Sequence, residues 1–160
     1  MSKARLTLAP LLLLPCLAFA SPAHAERNTL GPHLGFSFDS NDVFLGAEGR
    51  FDVAEIDQSV IVQLNPSFSL YFVHNVNVFN FSFNVPFEFK IHDSVLRPFA
   101  APGLGIYAFT GRGGEARVRL NLIGGLLFKL RPPLEPYVQI RLVAGGGIAA
   151  ELMTGLLFRL

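Results

Sequence analysis

Tryptophan is absent from this chain and cysteine occurs once, at Cys16. Charge is scarce as well: Asp, Glu, Lys and Arg make up 16% of 160 residues, where a soluble domain carries about 25%. With 51% hydrophobic residues and 16 Phe, a disordered, highly charged chain is excluded. Yet no stretch reaches the roughly 18 unbroken apolar residues of a membrane-spanning helix. The sequence is therefore too apolar for an ordinary water-facing surface, and its apolar residues are dispersed along the whole length.

Residues 1–25 read as a cleaved signal peptide. Lys3 and Arg5 give a positive start, Leu6 to Ala20 form an apolar region interrupted by Pro10 and Pro15, and Ala23-His24-Ala25 offers a small-x-small cleavage site. The remainder, 26–160, has no cysteine, so it can form no disulfide after export. It keeps 11 Lys and Arg against 12 acids, a net charge of −1. Near neutrality without a basic block argues against nucleic acid as a partner.

What is present is alternation. From Val60 to Phe72 the even positions are apolar or Pro, while Gln63, Asn65, Ser67, Ser69 and Tyr71 occupy the other side with Ile61. Phe79, Phe81, Phe83, Val85, Phe87, Phe89 and Ile91 then alternate with Asn80, Ser82, Asn84, Pro86, Glu88 and Lys90. Period two puts each set on its own face of a strand. The same rule covers Leu34–Phe38, Val43–Asp52, Arg117–Leu130, Glu135–Leu142 and Leu152–Leu160. Pro98 and Pro102 cannot donate ladder hydrogen bonds, so between Val95 and Phe109 a bulge could exchange the faces. Turns are expected at Asp39–Asp42, Ala54–Gln58, Val73–Asn75, His92–Ser94, Gly111–Gly114, Arg131–Leu134 and Gly145–Gly147. Eight strands so spaced predict an all-β fold, an eight-stranded antiparallel up-and-down barrel whose closure leaves no free edge.

Alternation alone does not say which face is inside. A soluble lipocalin-like barrel, the alternative, would turn the apolar face inward around a hydrophobic ligand. Three features favour a transmembrane barrel instead. All strand charges fall on the less apolar face, and an Arg or Lys facing mid-bilayer costs about 2–4 kcal/mol. That face is thin cover for a watery exterior but suits a narrow lumen of paired charges. The stripe from Phe79 to Ile91, about 43 Å long at 3.3 Å per residue, rises about 30 Å when tilted 45°, enough for an apolar band of about 25 Å.

The stretch Arg97-Pro98-Phe99-Ala100-Ala101-Pro102-Gly103-Leu104-Gly105-Ile106-Tyr107 resembles the Pro-aromatic then Gly-x-Gly strand of small outer-membrane β-barrel proteins, the OmpA/OmpX/OmpW-like group. Gly124-Gly125-Leu126-Leu127-Phe128-Lys129-Leu130 and Glu135-Pro136-Tyr137-Val138 are similar to that group's next two strands. The ending Gly155-Leu156-Leu157-Phe158-Arg159-Leu160 is similar to its C-terminal assembly signal, carried here by Leu156, Phe158 and Leu160. The family usually ends on Phe; this chain ends on Leu. The resemblance implies the outer membrane of a Gram-negative envelope as location and outer-membrane lipids as surroundings. It also implies the barrel-assembly machinery and periplasmic chaperones as partners during biogenesis, and a monomer.

Enzymatic chemistry finds little purchase. His33, His74 and His92 lack metal-ligand spacing and are expected at strand ends or turns. No cofactor is expected, since Gly103-x-Gly105 and Gly111-x-Gly113-Gly114 precede no helix that could cradle a phosphate. His92-Asp93-Ser94 has the spacing of a His and Ser in some barrel lipid A deacylases, but it falls in a tight turn. The constellation that remains is a lumen charge network of Glu48, Arg50, Glu88, Lys90, Arg97, Arg117, Arg119, Arg141, Glu151 and Arg159. A static polar plug is the expected role. The alternative is a narrow ion path gated by Arg117, Arg119 and Arg141 against Glu48, Glu88 and Glu151. The function expected is structural or membrane-integrity support, with no more than weak ion or small-solute permeation.

Overall fold

The computed structural model describes residues 28–73, 76–110, 114–130 and 133–160. The proposed signal peptide, His74 and parts of the turns at 73–75, 111–114 and 131–134 lie outside the described residues. Alternating sequence becomes alternating burial in nine strand segments: β1 (Asn28–Ser37), β2 (Asp42–Ile56), β3 (Val60–Val73), β4 (Val76–Asn84), β5 (Phe87–Phe89), β6 (Leu96–Thr110), β7 (Glu115–Phe128), β8 (Leu134–Ala144) and β9 (Ile148–Arg159). All pairings are antiparallel. β1 joins both β2 and β9, and β2 joins β3, so the sheet closes on itself. Leu160 N–H donates to the Asn28 carbonyl, so the two ends of the described chain meet at one rim. That rim is the terminal end; the other, at the β1–β2 and β8–β9 turns, is the distal end.

β4 and β5 are one stave of an eight-stave barrel. Asn65 pairs with Asn84 and Val60 with Phe89, in a single unbroken register along β3. The interruption is chemical: Pro86 has no N–H to donate, and its carbonyl still accepts from Gln63 N–H at 2.9 Å. The Phe79–Ile91 stripe thus keeps its faces across the gap, although its ladder is incomplete.

Two expectations need correction, and one point that the sequence left open is decided. The first strand begins at Asn28, ahead of His33 and Leu34, because Gly31 and Pro32 sit in the sheet rather than before it. A Cβ at Gly31 would strike the backbone of β9, so glycine lets these strands approach. The second concerns β2, which runs through the expected turn to Ile56. A bulge between Asp52 and Ala54 exchanges its faces there and brings Glu55 to the inner side, where it pairs with Lys90. The hairpin needs only Asp57 and Gln58 at positive φ, 51° and 56°, with Ser59 N–H donating to the Ile56 carbonyl. The point left open concerns β6, which pairs with β7 in one register from Leu96–Phe128 to Phe109–Glu115, so Pro98 and Pro102 do not exchange its faces. Phe99, Ala101 and Tyr107 point inward.

The interior is a packed mixture. Phe44, Tyr71, Val78, Tyr107, Val143 and Met153 cluster toward the distal end; Phe99, Ala101, Ile123, Leu127, Tyr137 and Leu157 cluster toward the terminal end. Four inward rings lie opposite glycine on the neighbouring strand: Phe44 opposite Gly35, His33 opposite Gly46, Phe99 opposite Gly125 and Tyr137 opposite Gly155. Eight strands leave an interior just wide enough for side chains. At these four positions the missing side chain of the glycine supplies space into which the ring can lie across that width.

Candidate functional site

The inward charges form three separate knots, with the pairs Glu55–Lys90 and Glu135–Arg159 near the terminal rim, not one continuous ladder. In the distal knot Arg141 Nε donates to Glu151 Oε2 at 2.6 Å and Arg141 Nη2 donates to the Tyr71 hydroxyl at 2.6 Å. Tyr71 in turn donates to Glu151 Oε1 at 2.9 Å, closing a three-membered ring of contacts, all buried. Each acceptor carries the charge or dipole its donor needs in a site shut off from water.

The middle knot is Glu48 and Arg50, two residues apart on β2 and so on one face. Arg50 Nε donates to Glu48 Oε1 at 2.9 Å and its Nη2 reaches Gln139 Oε1 at 3.3 Å. The guanidinium lies between two rings, 4.3 Å from the Phe99 centroid and 4.8 Å from that of Tyr137. Alongside runs an uncharged network. Asn121 Nδ2 donates to Ser82 Oγ and Asn84 Oδ1, each at 3.2 Å, and Asn84 Nδ2 donates to Asn65 Oδ1 at 3.0 Å. His33 belongs here, not at a strand end as expected: it is buried mid-strand with Nε2 at 2.9 Å from Ser69 Oγ.

In the terminal knot Glu88 takes Arg97 Nη1 at 2.7 Å, with Lys129 Nζ at 3.9 Å and Gln63 Nε2 at 3.3 Å. Glu88 pairs across the sheet with Phe99, so Arg97 is its diagonal neighbour on the same face. Below it, Arg159 approaches Glu135 at 3.6 Å on the terminal rim.

Of the opposition expected for a gate, the structure joins only Arg141 with Glu151. Glu48 is held by Arg50 and Glu88 by Arg97. Arg117 leaves the lumen altogether: it is exposed at the distal end and chelated by Glu115, two residues away on its own strand. Lys90 sits near the terminal rim with Glu55. Arg119 faces inward but stacks on Tyr107, 4.9 Å from the ring centroid, with no acidic partner among the described residues. Tyr71, Gln139, Gln63 and the Asn network were not singled out as site residues from the sequence. Their inward parity was visible; their partners depend on which staves face each other across the lumen. Leu156, Phe158 and Leu160 all lie on the exposed outer face of β9 and its end.

His92 and Ser94 each have a partner other than one another. His92 is 96% exposed and within 3.2 Å of Asp93, while Ser94 Oγ accepts from Leu96 N–H at 3.0 Å, closing the turn.

No protein-family model matches the chain, and no curated protein matches its sequence. Solved structures do. The N-terminal β-barrel domain of Pseudomonas aeruginosa OprF superposes with TM-score 0.71 at 16% identity, over 84% of this chain and 97% of that one. Neisserial surface protein A gives 0.61 at 10% identity over 84% and 95%. The fold is that of the small eight-stranded outer-membrane barrels. The outer-membrane enzyme PagL has this barrel too, with TM-score 0.55 at 14% identity over 82% of this chain and 98% of that one. Such a barrel therefore carries catalysis in one protein of this fold and is not itself a catalytic signature.

Proposed function

We propose that this chain is an integral outer-membrane β-barrel protein whose role is structural, supporting membrane integrity through a barrel closed by its own side chains. The observation that carries the reading is an inverted distribution of polarity. Phe83 is 69% and Leu120 62% exposed on the outside, while Arg50 is 1% and Glu88 0% exposed within. A water-soluble barrel puts its apolar residues inside; lipid favours the arrangement seen here. The lipocalin-like alternative needs the apolar face inward around a ligand, and in this barrel that face is outward.

The plug reading is supported by the three knots, each bridging side chains from different staves at a different height. Breaking any of them to pass a hydrated ion would leave buried charges without partners. Outer-membrane lipids are then the surroundings, the barrel works as a monomer, and the outer strand of Leu156, Phe158 and Leu160 addresses it to the assembly machinery after chaperone escort. Purified protein in planar bilayers is expected to give no resolved current steps. Loss of the chain from cells is expected to raise sensitivity to detergent, restored by wild type and by Arg119→Ala alike. Discrete steps whose size changes in Arg119→Ala, without any detergent phenotype, would replace the structural role with permeation.

A further inference from the structure

At the distal mouth the barrel opens into a cup of about 320 Å³ whose lining includes Asp39, Asp42, Tyr71, Tyr107, Arg119 and Glu151. At about 30 Å³ per water it has room for roughly ten waters, or a solute of similar size. Its floor is the distal knot, where Glu151 is already committed to Arg141 and Tyr71. Its walls are different. Asp39 and Asp42, at the β1–β2 turn, have no cationic partner among the described residues, and Arg119 on β7 has no anionic one. In an eight-stave ring β2 and β7 stand opposite each other, so the unpaired carboxylates and the unpaired guanidinium face across the same cup.

Three polar atoms lining it are shielded yet unsatisfied: Asp42 Oδ2, Arg119 Nε and the hydroxyl of Tyr107, a residue only 3% exposed. Such groups are costly to leave unpaired. Deeper in the lumen each Arg of the three knots has an acidic partner, Arg141 with Glu151, Arg50 with Glu48 and Arg97 with Glu88, whereas at the mouth the two signs stand apart. Stacking on Tyr107, on the adjacent stave, holds Arg119 against its own wall. Tyr71 and Tyr107 present ring surface between the two poles, suited to a short methylene chain or an ammonium.

We propose that the distal cup binds a small zwitterion carrying an ammonium and a carboxylate group. The ammonium faces Asp42 and Asp39, and the carboxylate faces Arg119 and the Tyr107 hydroxyl. The chain has three tyrosines; Tyr71 and Tyr107 line the cup, while Tyr137 lies in the terminal-end cluster and serves as an internal control. The test is a titration of ¹³C-tyrosine-labelled full-length protein in micelles, at constant ionic strength, with 4-aminobutanoate, propylamine and butyrate. Saturable shifts of Tyr71 and Tyr107 are expected with 4-aminobutanoate near about 1 mM, at least about tenfold tighter than with either single-charge probe. Tyr137 should not move. In Asp42→Asn the zwitterion should bind no better than butyrate, and in Arg119→Gln no better than propylamine; an unmoved Tyr137 reports that both variants remain folded. Non-saturating shifts, equal shifts from NaCl alone, or unchanged selectivity in both variants would overturn the proposal.

Discussion

Replacing Arg141 by Met is expected to destabilise the barrel by about 3–5 kcal/mol, the cost of leaving one partner of a buried ion pair alone. Arg141 is 1% exposed and supplies Glu151 with its charge-assisted contacts and Tyr71 with a donor. Without it Glu151 remains in a dry, narrow lumen with only the Tyr71 hydroxyl. The double variant Arg141→Met/Glu151→Met should recover most of the loss, because replacing both charges with apolar groups of similar volume is often neutral or better. The midpoint of urea unfolding in lipid vesicles, converted through the m-value, measures both effects. A single-variant cost below about 1 kcal/mol, the range of exposed pairs, together with no recovery in the double variant, would mean that the distal knot is hydrated and the lumen not closed.

The second large effect separates two adjacent glycines. Gly124 faces outward, and a Cβ there meets nothing within 4 Å. At Gly125 the same atom would lie 2.5 Å from Phe99 Cζ and 2.7 Å from the Val138 carbonyl oxygen. Gly125→Val should therefore cost about 1–3 kcal/mol or more as overpacking, and would push Phe99 off the Arg50 guanidinium it covers. Gly124→Val should be neutral or slightly stabilising, since a β-branched side chain suits a strand and adds apolar surface toward lipid. The same urea midpoints rank the pair. Equal effects would remove the assignment of Gly125 to the lumen.

Much of this barrel is legible before any coordinates. Side-chain direction in a strand has period two, and the two faces differ sharply in polarity, so the inward set from His33 to Arg159 can be read by parity alone. Legibility fails where parity is broken or ambiguous. The bulge at Val53 exchanges the faces of the last residues of β2, so Glu55 and Lys90 meet at a place read as a turn. Pro86 opens the ladder without changing the faces, and Pro98 and Pro102 leave the register of β6 with β7 unbroken. His33 was expected at a strand end or turn, but the strand begins five residues earlier, at Asn28, and the missing Cβ of Gly31 lets β1 lie close against β9.

Pairing of charges was less legible than their direction, for a geometric reason. Parity says that Glu88, Arg97 and Arg119 all point inward. Only register and height decide that Glu88 meets Arg97 diagonally while Arg119 stands alone above Tyr107. The Glu48–Arg50 and Glu115–Arg117 contacts join residues two apart on one strand, which share a face, but neither pair was read from the sequence. No role for Gly35, Gly46, Gly125 and Gly155 was read from the sequence, yet each faces an aromatic ring across the sheet. A Gly directly opposite an inward ring becomes recognisable once the register of adjacent strands is known.

The account rests on the outer face of the barrel meeting lipid, and the absence of tryptophan makes that directly measurable. Leu122 is outward and midway along β7, and Gly146 lies in the distal turn. Single-tryptophan variants Leu122→Trp and Gly146→Trp would be reconstituted in vesicles of lipids brominated deep in the acyl chain, and their fluorescence compared with that in unbrominated vesicles and in aqueous iodide. The prediction is strong quenching of Leu122→Trp by the brominated lipid and little by iodide, with the reverse for Gly146→Trp. Quenching of Leu122→Trp by iodide, with no response to brominated lipid, would contradict a membrane-embedded barrel.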